Sequence, residues 1–229
     1  MRGLLGWGKN RAGELGARAF DTREKHNLHQ SKQRKDKEVA GKAVATLPWT
    51  SQDLEMLPDN GKRYEIIDGE LYVSTRPHYY HQRACGLVFK LLDNWSEQTE
   101  AGEANLAPGL IFAEDDDVAS DVIWTSRERL ATALQPDGKL HAPPELVVEV
   151  LSPGVTNERR DRQFKLRLYS RRGVLEYWIV SWQERRLEIY RREETLLKLH
   201  STLYETDMLQ SPLLPDFRCQ VSQFFAKIR

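Results

Sequence analysis

The sequence predicts a mixed α/β fold, a sheet of short strands flanked by helices. Three observations carry that prediction. Residues 145–151 form an almost unbroken apolar run, interrupted only by Glu149 after Glu145, and such runs mark strands covered on both faces. Residues 78–96 place Ala84, Leu87, Val88, Leu91, Leu92 and Trp95 at helical spacing. Residues 63–67 and 70–73 are strand-like runs joined by Asp68-Gly69, a dipeptide that favours tight hairpin turns.

The domain is expected to begin near Leu47-Pro48-Trp49-Thr50. Thr50 followed by Asp53 predicts a capped short helix over 51–56, ended by Pro58-Asp59-Asn60-Gly61. The first hairpin and the core-facing helix follow. Residues 109–113 and 118–124 flank the acidic turn 114–117 and predict a second hairpin. A short helix is expected at 126–134. The strand 145–151 stops at Ser152-Pro153-Gly154, and a basic helix over 157–171 ends before Gly173. Residues 174–180 predict another buried strand, with 187–190 paired to it across a turn. The tail 213–225 is expected to pack on as a last short element. No internal repeat is visible.

Length and composition agree with one domain, or one domain plus a tail. The chain has 229 residues, 40% of them hydrophobic and 30% charged, enough apolar material for a sizeable core. No apolar run approaches the roughly 20 residues of a membrane helix, and the first residues are too short in their apolar part for a signal peptide. Two distant cysteines, Cys85 and Cys219, do not make a disulfide framework or a Cys-rich zinc module. They read as reduced core thiols, and the expected location is the cytoplasm.

The 34 Lys+Arg and 34 Asp+Glu cancel, but unevenly along the chain. Residues 1–45 carry 11 basic and 5 acidic residues, which leaves residues 46–229 with an acidic excess of 6. The first stretch has no sustained period and is expected to be a disordered or loosely helical extension of the domain at 46–229. An arm for nucleic-acid phosphates is the sharper alternative.

Charged groups inside apolar strands suggest chemistry. Glu149 lies between Val148 and Val150 in the strand expected to be central, so its carboxylate must be protonated, paired or on a metal. Asp121 interrupts 118–124, and Glu70 opens the strand after the hairpin turn. Each has a plain alternative as a surface residue. Together they form a set of oxygen donors of the kind that suits Mg²⁺ or Mn²⁺, which keep waters and accept phosphate oxygens. Such a metal polarises a phosphodiester and acidifies a bound water. Lys165, in the next helix, would add a cation for the attacking water or the developing charge. By position alone it reads equally as a solvated lysine.

On these residues the chain resembles the Uma-two family of restriction-endonuclease-like proteins, within the PD-(D/E)xK nuclease superfamily. The matching segments are 64–71, His81-Gln82, 120–122, 144–153, Asp161-Arg162 with Lys165 and Tyr169, and 173–180, in order over roughly 47–226. The resemblance implies a restriction-endonuclease-like core with metal-binding acids at Glu70, Asp121 and Glu149. It gives His81 a supporting place behind them. Ser120 stands where the Pro of the Pro-Asp signature is expected. Leu151 stands where a lysine two residues after the acid is expected, and the basic role passes to Lys165. Ser181 replaces an acidic residue expected after Trp178-Ile179-Val180.

Other motifs carry less. His78 and His81 lack the partners of a zinc set, and the acidic turn lacks the spacing and glycine of an EF-hand. No Gly-rich phosphate loop or nucleophile elbow is present. The basic helix holds seven cations and two acids over 158–172, either a solvated face or a contact for the DNA backbone through Arg159, Arg160, Arg162 and Arg167. Asp161 is placed to pair with Lys165 four residues on. The resulting expectation is a Mg²⁺-dependent DNA endonuclease, with a homodimer suited to double-strand cuts. The alternative is a catalytically silent nucleic-acid-binding or regulatory protein on the same scaffold.

Overall fold

The structure, a computed structural model, describes residues 47–229; the basic extension expected at 1–45 lies outside the described residues. The first helix, α1 (Ser51–Glu55), starts where the Thr50–Asp53 pair predicts, and the Asp53 carboxylate accepts from the Thr50 amide and hydroxyl, both at 2.8 Å. The hairpin β1 (Arg63–Ile67) and β2 (Glu70–Ser74) turns at Asp68-Gly69, both at positive φ, as the tight turn requires.

The long helix α2 (Tyr79–Thr99) is followed by β3 (Gly102–Leu106), β4 (Gly109–Ala113) and β5 (Asp116–Ala119). Next come β6 (Val122–Ser126), α3 (Arg127–Ala133) and β7 (Leu146–Val150). A helical run then comprises α4 (Val155–Arg159), a π-helical segment (Arg160–Lys165) and α5 (Leu166–Arg172). Gly173 closes it at φ 95°, the left-handed cap anticipated there. The remainder is β8 (Glu176–Ser181), β9 (Arg186–Glu193), β10 (Leu196–Tyr204), β11 (Met208–Ser211), β12 (Leu214–Gln220) and a 3₁₀ turn (Val221–Phe225).

Two larger sheets and an antiparallel two-stranded one, β11-β12, organise the described residues. A six-stranded sheet runs β10-β9-β8-β7-β6-β3, with β7 and β8 parallel and the other pairs antiparallel. A four-stranded sheet runs β2-β1-β5-β4. The apolar run with Glu149 is the inner strand β7, buried at all five positions. Side chains alternate across it. Leu146, Val148 and Val150 pack with α2 and the C-terminal Phe217, Phe224 and Phe225. Val147 faces the other way, into a second core with Leu168 and Tyr169 of α5 and Ile67, Leu110 and Val118 of the smaller sheet. Glu149 shares that second face and is enclosed between the helix and the second sheet.

Two expectations are corrected. Residues 118–124 are not one strand: β5 ends at Ala119, β6 begins at Val122, and Ser120-Asp121 carries the chain from one sheet to the other. The basic helix is not regular, because six of its residues wind with π geometry, a common accommodation of an extra residue at a functional position. Strands β3, β10 and β11 lie where the sequence shows no strong alternation.

Gly102 illustrates how tightly β3 meets β6. A Cβ built there would lie 2.2 Å from the Thr125 carbonyl oxygen and 2.8 Å from the Trp124 ring. Gly102→Ala is therefore expected to destabilise the domain by about 1–3 kcal/mol through overpacking. A urea midpoint unchanged from that of the parent would contradict this close approach.

Candidate active site

Four carboxylates come together around one buried lysine. Lys165, at the end of the π segment, is fully buried and donates to Glu149 Oε1 at 2.9 Å. Its Nζ also lies 2.8 Å from Glu65 Oε1 and 3.4 Å from the Ala119 carbonyl. Tyr169, one helical turn on, donates its hydroxyl to the same Glu149 oxygen at 2.8 Å. Lys165 and Tyr169 thus converge on β7 from one stripe of the helical run.

Asp121 reaches the same strand from the inter-sheet crossover. Its Oδ2 accepts the Val150 amide at 2.9 Å, standing in for a main-chain rung beyond the Val122–Val148 pair. His81 of α2 holds that oxygen through Nε2 at 3.2 Å, and Arg63 of β1 holds Oδ1 at 3.4 Å. Behind the imidazole, Cys85 Sγ lies 3.5 Å from Nδ1, one turn along α2. Arg160 Nε donates to Asp161 Oδ1 at 2.8 Å, with its Nη1 3.7 Å from Glu65 Oε2.

The electrostatics follow from burial first and partners second. Burial pushes the Glu149 carboxyl up to about 8; Lys165 opposes the shift, and Asp121, Asp161 and Glu65 reinforce it. Asp121 is equally buried, yet the His81 hydrogen bond and the nearby Lys165 and Arg63 overrule burial and hold its carboxyl well below the usual range. Burial also opposes ionisation of Glu65, where Lys165 and Arg160 prevail and lower it. Asp161 is shifted upward, burial outweighing Lys165 and Arg160. Burial raises the Cys85 thiol far above its normal range.

The acids are oxygen donors of the kind a hard divalent cation takes, each already held by protein donors. Glu65, Asp121, Glu149 and Asp161 face Arg63, Arg160 and Lys165, so the acids exceed the cations by one only with every carboxyl ionised, a state that burial opposes at Glu149 and Asp161. Asp161 Oδ2 is buried without a hydrogen-bond partner among the described residues. His81, Cys85 and Asp121 also offer ligand atoms within 4.8 Å of one another. There the ring stands between thiol and carboxylate, and the thiol is held protonated, so Asp121 is the member suited to Mg²⁺ or Mn²⁺.

Of the acids expected at the metal, Asp121 and Glu149 are brought together, but Glu70 is not. Glu70 is exposed at the start of the edge strand β2, where its Oε2 accepts from the Tyr72 hydroxyl at 3.0 Å. The hairpin's carboxylate at this place is Glu65, at the middle of β1 and opposite Tyr72, with β5 on its other side. An inner strand buries its middle residue, whereas the residue after a turn on an edge strand stays in solvent. Glu65 could have been found by the argument used for Glu149, because it too is an acid inside an apolar run, Tyr64-Glu65-Ile66-Ile67. Arg63 gives no comparable signal, and Tyr169 is marked through the family resemblance, without a role.

The proposed DNA-contacting arginines divide. Arg159 and Arg167 both lie over the Phe164 ring, at 5.3 and 5.5 Å from its centroid, and both are exposed. Arg160 turns inward to the carboxylates, and Arg162 is ion-paired with Glu188. The expected pairing of Asp161 with Lys165 four residues on is replaced by the Arg160–Asp161 contact, because the π segment directs Lys165 at Glu65 and Glu149.

A cavity of about 640 Å³ opens beside the cluster. Asp121, His81, Arg63 and Arg160 of the cluster line it, together with Lys62, Arg76, His78 and Ser152. Its charged lining groups are the cations Lys62, Arg63, Arg76 and Arg160 and a single acid, Asp121. No helix among the described residues is long and apolar enough to cross a membrane.

A family model described as "Uma2: Putative restriction endonuclease" matches residues 51–222. Among solved structures, the chain is similar to a putative nuclease belonging to DUF820 from Anabaena variabilis, with a TM-score of 0.63 and 15% identity. That similarity covers 78% of this chain and 98% of the other, and at this identity it speaks for the fold alone. No curated protein matches the chain.

Proposed function

We propose, for a chain that belongs to the Uma2 family of putative restriction endonucleases, a metal-dependent endonuclease that hydrolyses DNA phosphodiesters. The observation that carries this reading is the placing of two buried acids at the end of β7, Glu149 on Lys165 and Asp121 on the Val150 amide, with Asp121 lining a cavity that also holds four cationic side chains. Asp121 and Glu149 would hold Mg²⁺ or Mn²⁺, with Glu65 taking the place first expected of Glu70. A bound divalent ion supplies Lewis-acid polarisation of the phosphodiester and a more acidic water.

The chain's own residues do the rest. Arg63 and Arg160 face the cavity and meet the phosphate's negative charge. His81 fixes the orientation of Asp121, with Cys85 behind it. Lys165 has all three donors on protein oxygens, so it serves as a positioning residue for Glu149 and Glu65, not as the residue that orients the water. Hydrolysis by water needs no covalent bond to the protein.

The occupied state of Lys165 also suits a silent scaffold that binds nucleic acid without cutting it. Nicking of supercoiled plasmid with Mg²⁺ or Mn²⁺ separates the two readings. The expected result is cleavage that EDTA abolishes and Asp121→Ala lowers at least about a hundredfold. Calorimetric Mn²⁺ binding by the parent, weakened in Asp121→Ala, provides a readout independent of turnover. Absence of both cleavage and metal binding would overturn the proposal.

A further inference from the structure

We infer that the cavity admits a nucleotide of an unpaired DNA strand and that an aromatic ledge at its mouth stacks the neighbouring base. This deepens the nuclease reading above and rests on it. The ledge is built where α2 begins, beside the cavity wall formed by His78 and Ser152. His78 caps α2 by accepting the Tyr80 amide at 3.1 Å, and its ring stacks on Trp182 with centroids 5.0 Å apart and planes 12° apart. Tyr80 meets Trp182 at 5.6 Å, and Tyr79 meets Tyr80 edge-on at 5.5 Å. Trp182 is fixed by donating Nε1–H to the Leu151 carbonyl at 3.1 Å, next to the cavity-lining Ser152.

Four aromatic rings are therefore contiguous and held in place before any ligand arrives. The outermost, Tyr79, is 77% exposed and has no core to serve. Tyr79 joins through Tyr80 to the cavity-lining His78, and exposed aromatics together with nearby cations are the combination that binds single strands, through base stacking and phosphate attraction together. Arg63, Arg76, Lys62 and Arg160 supply the cationic half. The reactive end of the cavity points to the same substrate. Asp121 lines the cavity and is only 7% exposed, so a scissile phosphate that meets it must enter a concavity. A strand already unpaired enters without the cost of extruding a nucleotide from a duplex.

The test is fluorescence anisotropy with a labelled mixed-sequence oligodeoxynucleotide, as a single strand and as its blunt duplex, in EDTA so that no cleavage occurs. The single strand is expected to bind at least about tenfold more tightly than the duplex. Tyr79→Ala is expected to weaken single-strand binding roughly fivefold to tenfold, and Tyr79→Phe to restore it. Equal affinity for both forms, or Tyr79→Ala binding like the parent, would overturn the inference. Because binding is read without metal, that failure is distinct from a failure to nick plasmid, which bears on the nuclease reading itself.

Discussion

Lys165→Met is expected to lower the unfolding free energy by about 3–5 kcal/mol, the loss typical of removing one partner from a buried ion pair. The substitution keeps the side chain's length and packing while deleting the ammonium between Glu65 and Glu149. Two carboxylates, each about 1% exposed, would then face each other without a cation. Combining Lys165→Met with Glu149→Gln should recover part of the loss, since one of the stranded charges is gone. Urea denaturation at about pH 9, above the folded value of Glu149, measures both variants. A loss below about 1 kcal/mol for the single variant would mean that Nζ does not bridge these acids.

Glu149→Gln has the second large effect, with opposite signs for function and stability. Nicking should fall to background, because the amide cannot serve as an anionic metal ligand. Stability should depend on pH. The folded-state carboxyl sits at about 8 against an ordinary value of 4.5, so the native fold binds this proton more tightly than the unfolded chain does. Its stabilising contribution is complete below the ordinary value and is lost as pH rises through the folded value. Glutamine mimics the protonated form and suffers no such loss. In metal-free buffer the two proteins should be alike near about pH 4, whereas near about pH 9 the variant should be the more stable by about 1–3 kcal/mol. A stability difference that does not change between those conditions would contradict the assigned environment of Glu149.

Much of this arrangement is legible in the sequence because burial leaves a pattern. The apolar run around Glu149 marks β7, the spacing over 78–96 marks α2, and Asp68-Gly69 marks the first turn. What escapes is set by long-range geometry. Glu70 and Glu65 belong to one hairpin, and local sequence favours neither as a functional acid. The choice comes from which strand pairs with β5. Asp121 reads as a residue within a strand because the change of sheet at Ser120-Asp121 carries no Gly or Pro. The basic helix looks solvated because seven cations crowd it, and only the tertiary structure separates Arg160 and Lys165, which turn inward, from Arg159 and Arg167, which do not.

The π segment has a consequence for how such sites are searched for. An α-helix advances about 100° per residue, so one residue more or less in Arg160–Lys165 would swing everything downstream to a different azimuth. The ammonium beside Glu149 is therefore delivered by a winding number. It does not depend on a fixed offset along the strand, whose second position after the acid is the buried Leu151. The strand stays wholly apolar there, and the cation arrives from a neighbouring element that a single-codon insertion or deletion can re-aim. A linear spelling of the motif misses this chain's lysine. A pattern written in spatial coordinates, acid on the inner strand and cation within reach from any element, finds it.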